Sequence, residues 1–281
     1  MNIDHLQSRL DVEASQHSSA GIKPQNEDSI GIRVPEGAAL TTKGIAMVIA
    51  DGVSAAEAGK EASEACVKGF LSDYYSTPDS WSVKKSAHRV LTALNRWLYG
   101  QGQKFSDVHK GYVTTLSVLI IKSQSAYIFH VGDSRVYRYR NGQLELLTYD
   151  HVVRISDEQV YLARAMGIDL KLEVDFHNLD VEENDLFVST TDGVHDWLTI
   201  KEIEGIVARY FGKPDELPKA LIERALDNGS DDNVSCQVLK AVGLGKASDE
   251  DAFIKLGELP FPPHLKVGMR IDGLRIIKEI Y

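Results

Sequence analysis

The chain reads as an α+β protein, and three observations lead there. Its apolar, β-branched runs come in clusters rather than in strict alternation with helices. Two of these runs are joined by Asn141-Gly142, the dipeptide of a tight hairpin. The helical stretches come in two pairs, each helix with one apolar face to lay on a sheet.

Taken in order, IAMVIA (45–50) is the first clear strand, a run apolar on both faces. Two amphipathic helices follow. Ala58, Ala62, Cys66 and Phe70 share one face, with Ala65 beside them; Val83, Ala87, Val90, Leu94 and Trp97 share the other. Strands are expected at 113–121, 125–131 and 135–140, with the hairpin returning over 143–147, and again at 185–191. Helices over 200–211 and 215–228 precede a last strand, NVSCQVLKA, at 233–241. Residues 1–241 thus form one folded unit. Residues 242–266 have linker composition, with Gly, acidic residues and Pro260, Pro262 and Pro263.

The 281 residues suffice for a sizeable core, and 26% charged with 43% apolar residues is ordinary globular composition. The net charge of −10, with no basic stripe, argues against a nucleic-acid surface. Cys66 and Cys236 are expected as buried thiols. The polar N-terminus has no signal core, and no stretch approaches the ~20 apolar residues of a membrane span. A cytoplasmic location is expected.

The chemistry lies in acids at strand ends. MVIADGVS delivers Asp51, which alone would read as an Asp-Gly turn. The pattern returns as HVGDSR with Asp133 and STTDGV with Asp192, beside NED with Glu27 and Asp28, and DDNVS with Asp231 and Asp232. If these ends converge, the carboxylates cannot all stay ionised without a counter-charge. Oxygen donors without clustered His or Cys point to Mg²⁺ or Mn²⁺. More than three carboxylates suggest two ions, ~3.5–4 Å apart, an arrangement suited to phosphoester hydrolysis.

The ordered set GxKxxNED, ADGVxxxxxG, TT, VGDSRVYRYRxGxLxxLTxDH, RAMG, TDGVxD and DDNVS, over about residues 15–241, resembles the bacterial metal-dependent serine/threonine protein phosphatases, the PPM or phosphatase 2C family. The resemblance implies a four-layer α-β-β-α sandwich of two mainly antiparallel sheets flanked by helix pairs. It implies hydrolysis of phosphoserine and phosphothreonine in proteins by water activated by two Mn²⁺ or Mg²⁺ ions, with a weaker third site. Asp51 would bridge the two ions and the Gly52 carbonyl would ligate the first. Asp192 and Asp232 would hold the second, Glu27 and Asp28 would lie beside the ions, and Asp133 with Asp192 would form the third site.

The chain departs from the family pattern in three places. Lys23 stands where an Arg usually grips phosphate, which keeps the charge but not the fork geometry. Val53 stands where eukaryotic members often carry a His, so no general acid is assigned. Only about a dozen residues separate Asp150-His151 from RAMG, so the flap is short and a more open cleft is expected. Lys23 and the short flap are the support for the alternative, a catalytically weak or inactive module regulating an attached or partner kinase. Asp157 and Asp180 are expected as surface charge, His130 as a buried or half-buried histidine, and His195 as incidental to the site. Thr114 and Thr115 should pack behind the metals, and Arg135 should pair with a carboxylate. Residues 267–281 resemble the opening strand of a bacterial protein kinase domain without its Gly-rich loop. A fused or cognate serine/threonine kinase is therefore an expected partner, beside phosphoprotein substrates.

Overall fold

The computed structural model describes residues 9–105, 107, 111–156, 159–249, 251–252, 270–271, 274–275 and 277–278. In chain order the elements are β1 Asp11–Ser19, β2 Asp28–Arg33, α1 Ala38–Lys43, β3 Ile45–Asp51, α2 Gly59–Ser76, α3 Val83–Gly102, β4 Leu116–Lys122 and β5 Ser125–Val131. There follow β6 Arg135–Arg140, β7 Gln143–Leu146, β8 Val152–Ser156, β9 Gln159–Leu162, β10 Asp175–Asp180 and β11 Leu186–Thr190. The remainder are α4 Asp192–His195, α5 Ile200–Tyr210, α6 Leu217–Asp227, β12 Val234–Gly243, β13 Arg270–Ile271 and β14 Leu274–Arg275.

Two five-stranded sheets, ordered β1-β12-β11-β6-β7 and β10-β5-β4-β3-β2, stack face to face. The strand pairings among the described residues are antiparallel. The period of two along each strand sets the layers. In β3, Ala46, Val48 and Ala50 pack on α2 and α3 with Cys66 and Phe70, whereas Ile45 and Met47 point into the inter-sheet core. In β11, Leu186 and Val188 pack under α5 and α6, and Phe187 joins the inter-sheet core. Strands buried on both faces read as unbroken apolar runs, and the four-layer α-β-β-α sandwich is the result.

The Asn-Gly hairpin closes as expected, with Asn141 and Gly142 both at positive φ between β6 and β7. The helix 83–102 rotates slightly from the expected face: Leu98 is fully buried, but Trp97 is 47% exposed and packs edge-on to Tyr112 at 5.8 Å. A 20-residue helix drifts across any fixed stripe, and the buried line runs through Val83, Ala87, Leu91 and Leu98. Strand β1, unforeseen, is an edge strand paired along its length with β12. Its DVEASQHSS has no apolar alternation because few of its side chains are covered. Cys66 and Cys236 are free and buried.

Strand β12 runs two residues beyond Ala241, and the chain after it stays on the sandwich. Asp251 is buried; its carboxylate accepts from Gln124 N at 3.3 Å, from the Ser125 hydroxyl, and from Ser248 Oγ at 2.7 Å. Most of 253–281 lies outside the described residues, apart from the ribbon β13–β14 and residues 277–278. No helix among the described residues is long and apolar enough to cross a membrane. Phe187 contributes the largest ring to the inter-sheet core. Phe187→Ala should therefore lower the unfolding free energy by about 3–5 kcal/mol, read from urea denaturation.

Candidate active site

Asp28 opens β2 and Asp51 closes β3, and the two are direct register partners. Directly opposed residues in an antiparallel pair have Cβ atoms roughly 5 Å apart, so the pairing places two carboxyls side by side. Asp133 follows β5 in the same sheet; Asp192 follows β11 and Asp232 precedes β12 in the other. All five positions fall at one end of the sandwich, where cross-sheet hydrogen bonds join them. Thr191 Oγ1 donates to Asp28 Oδ2 at 3.0 Å and accepts from Ser235 N at 3.1 Å. Asn233 accepts from Glu27 N at 2.9 Å and donates to the carbonyls of Ala20 (3.0 Å) and Gln25 (2.9 Å). Asn233 was visible in DDNVS but carried no role in the sequence; the structure makes it the clasp between Glu27 and the last strand.

Asp51 is held from behind by two threonines. Its carbonyl accepts from Thr115 N at 2.8 Å and Thr114 Oγ1 at 2.7 Å, while its N–H donates to Thr115 Oγ1 at 2.9 Å. Gly52 is needed for a reason other than turn geometry. It is not at positive φ, but a Cβ there would lie 2.4 Å from the Gly59 carbonyl oxygen. The chain doubles back so tightly from β3 into α2 that no side chain fits between.

Burial raises the carboxyl pKa values of Glu27, Asp28, Asp51, Asp133 and Asp192, and neighbouring carboxylates add to it. Asp51 is held well above the usual range by burial and by the charges of Asp192, Asp28 and Asp133. Asp28 is raised by burial against the opposing hydrogen bonds of Ser235 and Thr191, and Asp192 by burial and Asp232. Burial and Asp192 push Asp133 up to about 7. Glu27 is raised by burial, with Lys23 opposing. Lys23 donates to Asp232 and, at 2.9 Å, to Ser54 Oγ. Burial opposes its charge, but Asp232, Asp51 and Asp192 together raise its pKa.

This donor set fits a hard divalent cation. Asp28 Oδ1 is buried with no hydrogen-bond partner, an acceptor left for a cation, and its neighbours are carboxylates that repel one another. Among the described residues no three acids already enclose a ligation shell. Asp232 is turned onto Lys23, and Asp192 Oδ1 accepts from Gly193 N at 2.6 Å. The fit is therefore one of charge and placement, with side-chain rotations still to be made. Asp192 and Asp232 border a small cavity of about 290 Å³, lined also by Gly193, Asp196, Trp197 and Asp231, whereas Asp28, Asp51 and Asp133 do not line it. A larger groove, about 480 Å³ between α5 and α6, contains none of the site acids.

Other residues singled out in the sequence do not line this cavity, although His195 Nε2 comes within 4.0 Å of Asp196, which does. His195 is buried, its Nδ1 2.9 Å from Thr190 Oγ1, and burial holds it well below the ordinary histidine pKa. Arg135 makes a fork with Asp150, at 2.6 and 3.0 Å. Asp180 is not free surface charge: it pairs with Arg140 at 3.2 Å and is largely covered. Asp157 lies outside the described residues. Between Asp150-His151 and RAMG the chain forms the β8–β9 ribbon, and Met166 then bridges to Thr114.

His130 is fully buried between Ser117 Oγ at 2.8 Å and the Tyr149 carbonyl at 3.0 Å. Burial, with His151 beside it, pushes its pKa down to about 4. The unfolded chain takes up a proton near pH 6.5 that the folded chain refuses, so this stabilisation is present above pH 6.5 and is lost as pH falls toward 4. Between those limits the wild type should lose about 3 kcal/mol more stability than His130→Gln, measured by urea unfolding at several pH values.

A family described as protein phosphatase 2C matches residues 15–225. The chain is 26% identical over 222 residues to the serine/threonine phosphatase stp of Listeria welshimeri, covering 72% of this chain and 87% of that one. Its fold superposes on PppA of Pseudomonas aeruginosa with a TM-score of 0.70 at 23% identity, covering 82% of this chain and 97% of PppA. It superposes likewise on the catalytic domain of the serine/threonine protein phosphatase PstP, a structure holding two manganese ions, with a TM-score of 0.68 at 24% identity, covering 83% and 99%.

Proposed function

Because the chain belongs to the protein phosphatase 2C family, we propose that the acids gathered at one end of its sandwich are the active site of a metal-dependent protein serine/threonine phosphatase. The observation that carries this reading is the convergence of Asp28, Asp51 and Asp133 from one sheet with Asp192 and Asp232 from the other. Asp51 would hold both of two Mn²⁺ or Mg²⁺ ions, with the Gly52 carbonyl on the first and Asp192 and Asp232 on the second. Glu27 and Asp28 would lie beside them, and Asp133 with Asp192 would form a weaker third site. When bound, such ions neutralise the carboxylates, acidify water and polarise the phosphoryl oxygens. The manganese in the PstP structure supports this choice of cofactor.

The protein supplies position and charge. Thr114 and Thr115 fix the Asp51 backbone and with it the position from which the carboxyl is presented. Lys23 binds the substrate phosphate as a point charge, and to do so it must share its ammonium between the phosphoryl oxygens and Asp232. Val53 has no ionisable proton, and His195 is buried with its Nδ1 held at Thr190 Oγ1, so neither donates a proton to the leaving alkoxide. That proton comes from solvent.

Phosphoproteins are the substrates. A cognate or fused serine/threonine kinase belongs to the same reading, supported by the sequence of 267–281. So does a cytoplasmic location, supported by two free, buried thiols.

Hydrolysis of an aryl phosphate should require Mn²⁺ or Mg²⁺, and Asp51→Asn and Asp192→Asn should each lower kcat at least about 100-fold. Normal turnover by Asp51→Asn would overturn the site, and tight Mn²⁺ binding without turnover of aryl phosphates or phosphopeptides would overturn catalysis. Lys23→Arg restores a bidentate grip and should lower KM roughly 3- to 10-fold with little change in kcat.

A further inference from the structure

His151 is a buried imidazole with both nitrogens committed. Its Nδ1 accepts from Gly132 N at 3.1 Å, which leaves the ring proton on Nε2, where it donates to Asp175 Oδ2 at 3.0 Å. The other oxygen of Asp175 accepts from Arg164 Nη1 at 2.7 Å. Arg164 and Asp175 are about one-third exposed, whereas the His151 side chain is almost wholly covered. The ring thus joins a partly exposed ion pair to a backbone amide in the interior.

The backbone repeats the connection. His151 N donates to the Gly132 carbonyl at 2.8 Å, and Ala163 N, at the root of the β8–β9 ribbon, donates to the His151 carbonyl at 2.7 Å. Gly132 sits at φ +112, and a Cβ there would lie 2.5 Å from the Thr115 Cβ. It therefore packs without clearance against the residue that fixes Asp51, and it is the immediate predecessor of Asp133. The hydrogen bonds run unbroken from Arg164 to the bend that presents one acid and braces another.

We infer that His151 is a positioning residue, which locks the Gly132 bend and so ties the placement of Asp133 and Asp51 to the Arg164–Asp175 pair at the ribbon root. This inference rests on the phosphatase reading. Partners that orient ligating groups typically contribute roughly 10- to 100-fold in metal affinity.

The test compares wild type, His151→Leu and His151→Asn, each as the full chain. Mn²⁺ binding to metal-free protein is followed by calorimetry, beside hydrolysis of p-nitrophenyl phosphate and the urea midpoint. Leu fills similar space without either hydrogen bond, and Asn returns an acceptor for Gly132 N without reaching Asp175. Leu should weaken the weakest Mn²⁺ phase roughly 10- to 100-fold and lower kcat more than it raises KM, and Asn, which restores the bond to Gly132 N but not the link to Asp175, should recover only part of each. Lowered urea midpoints with the wild-type Mn²⁺ isotherm and kcat in both variants would overturn the inference. If the Leu variant does not fold, Asp175→Ala unlocks the ring from outside: a weakened isotherm supports the inference, and a wild-type one overturns it. Wild-type protein that binds Mn²⁺ without turnover would overturn the phosphatase reading, while the isotherms still decide the role of His151.

Discussion

The pairing of Asp28 with Asp51 across β2 and β3 is the constraint around which the rest of the site is arranged. Two carboxyls placed side by side in a desolvated position repel each other, and Asp192 and Asp133 add to the repulsion. Left to themselves such groups would turn away into solvent or take up protons. Here the surroundings deny them the first escape, and the raised carboxyl pKa values express the second. Thr114 and Thr115 hold the Asp51 backbone, Thr191 takes one oxygen of Asp28, and the tight Gly52–Gly59 contact prevents the loop after β3 from opening.

Lys23 has two demands upon it. In the absence of other cations it is the ammonium that answers Asp232, and its raised pKa expresses how strongly the cluster holds it. The same ammonium is the proposed phosphate grip. An Arg could serve a carboxylate and a phosphate with separate N–H groups in one plane, whereas a Lys must divide a single small charge between them. If Lys23 is the phosphate grip, substrate affinity would be tied to how completely Asp232 is occupied by something else.

Much of this was legible in the sequence because both its core strands and its acids obey simple rules. IAMVIA, SAYIFHV and LFVST are apolar on both faces, and the layers require just that of strands sandwiched between helices and a second sheet. The acids could be found because each interrupts such a run at its end. Strand β1 was not legible, since an edge strand held by its backbone needs no apolar pattern, and DVEASQHSS has none. Trp97 misses the buried line because a 20-residue helix drifts across a fixed stripe, so that Leu98 turns inward in its place. Asp180 looked like surface charge because its partners Arg138 and Arg140 are distant in sequence and meet it only through packing of the sandwich. Likewise, nothing local in LTYDH reveals that the histidine reaches Gly132.

Asp251 also determines how the molecule can be joined to others. Its buried carboxylate fastens the chain after β12 to the turn between β4 and β5, while Asp11 is paired with Gly243. Both connections to the fold therefore lie at the end away from the acids. They are separated from Asp133 by the length of β5, which spans 7 residues, or about 20 Å. A module grafted at either connection would leave the cleft unscreened. Its ability to bring its own phosphorylated residue into that cleft would depend on tether length, through an effective concentration that vanishes when the tether is too short to round the sandwich.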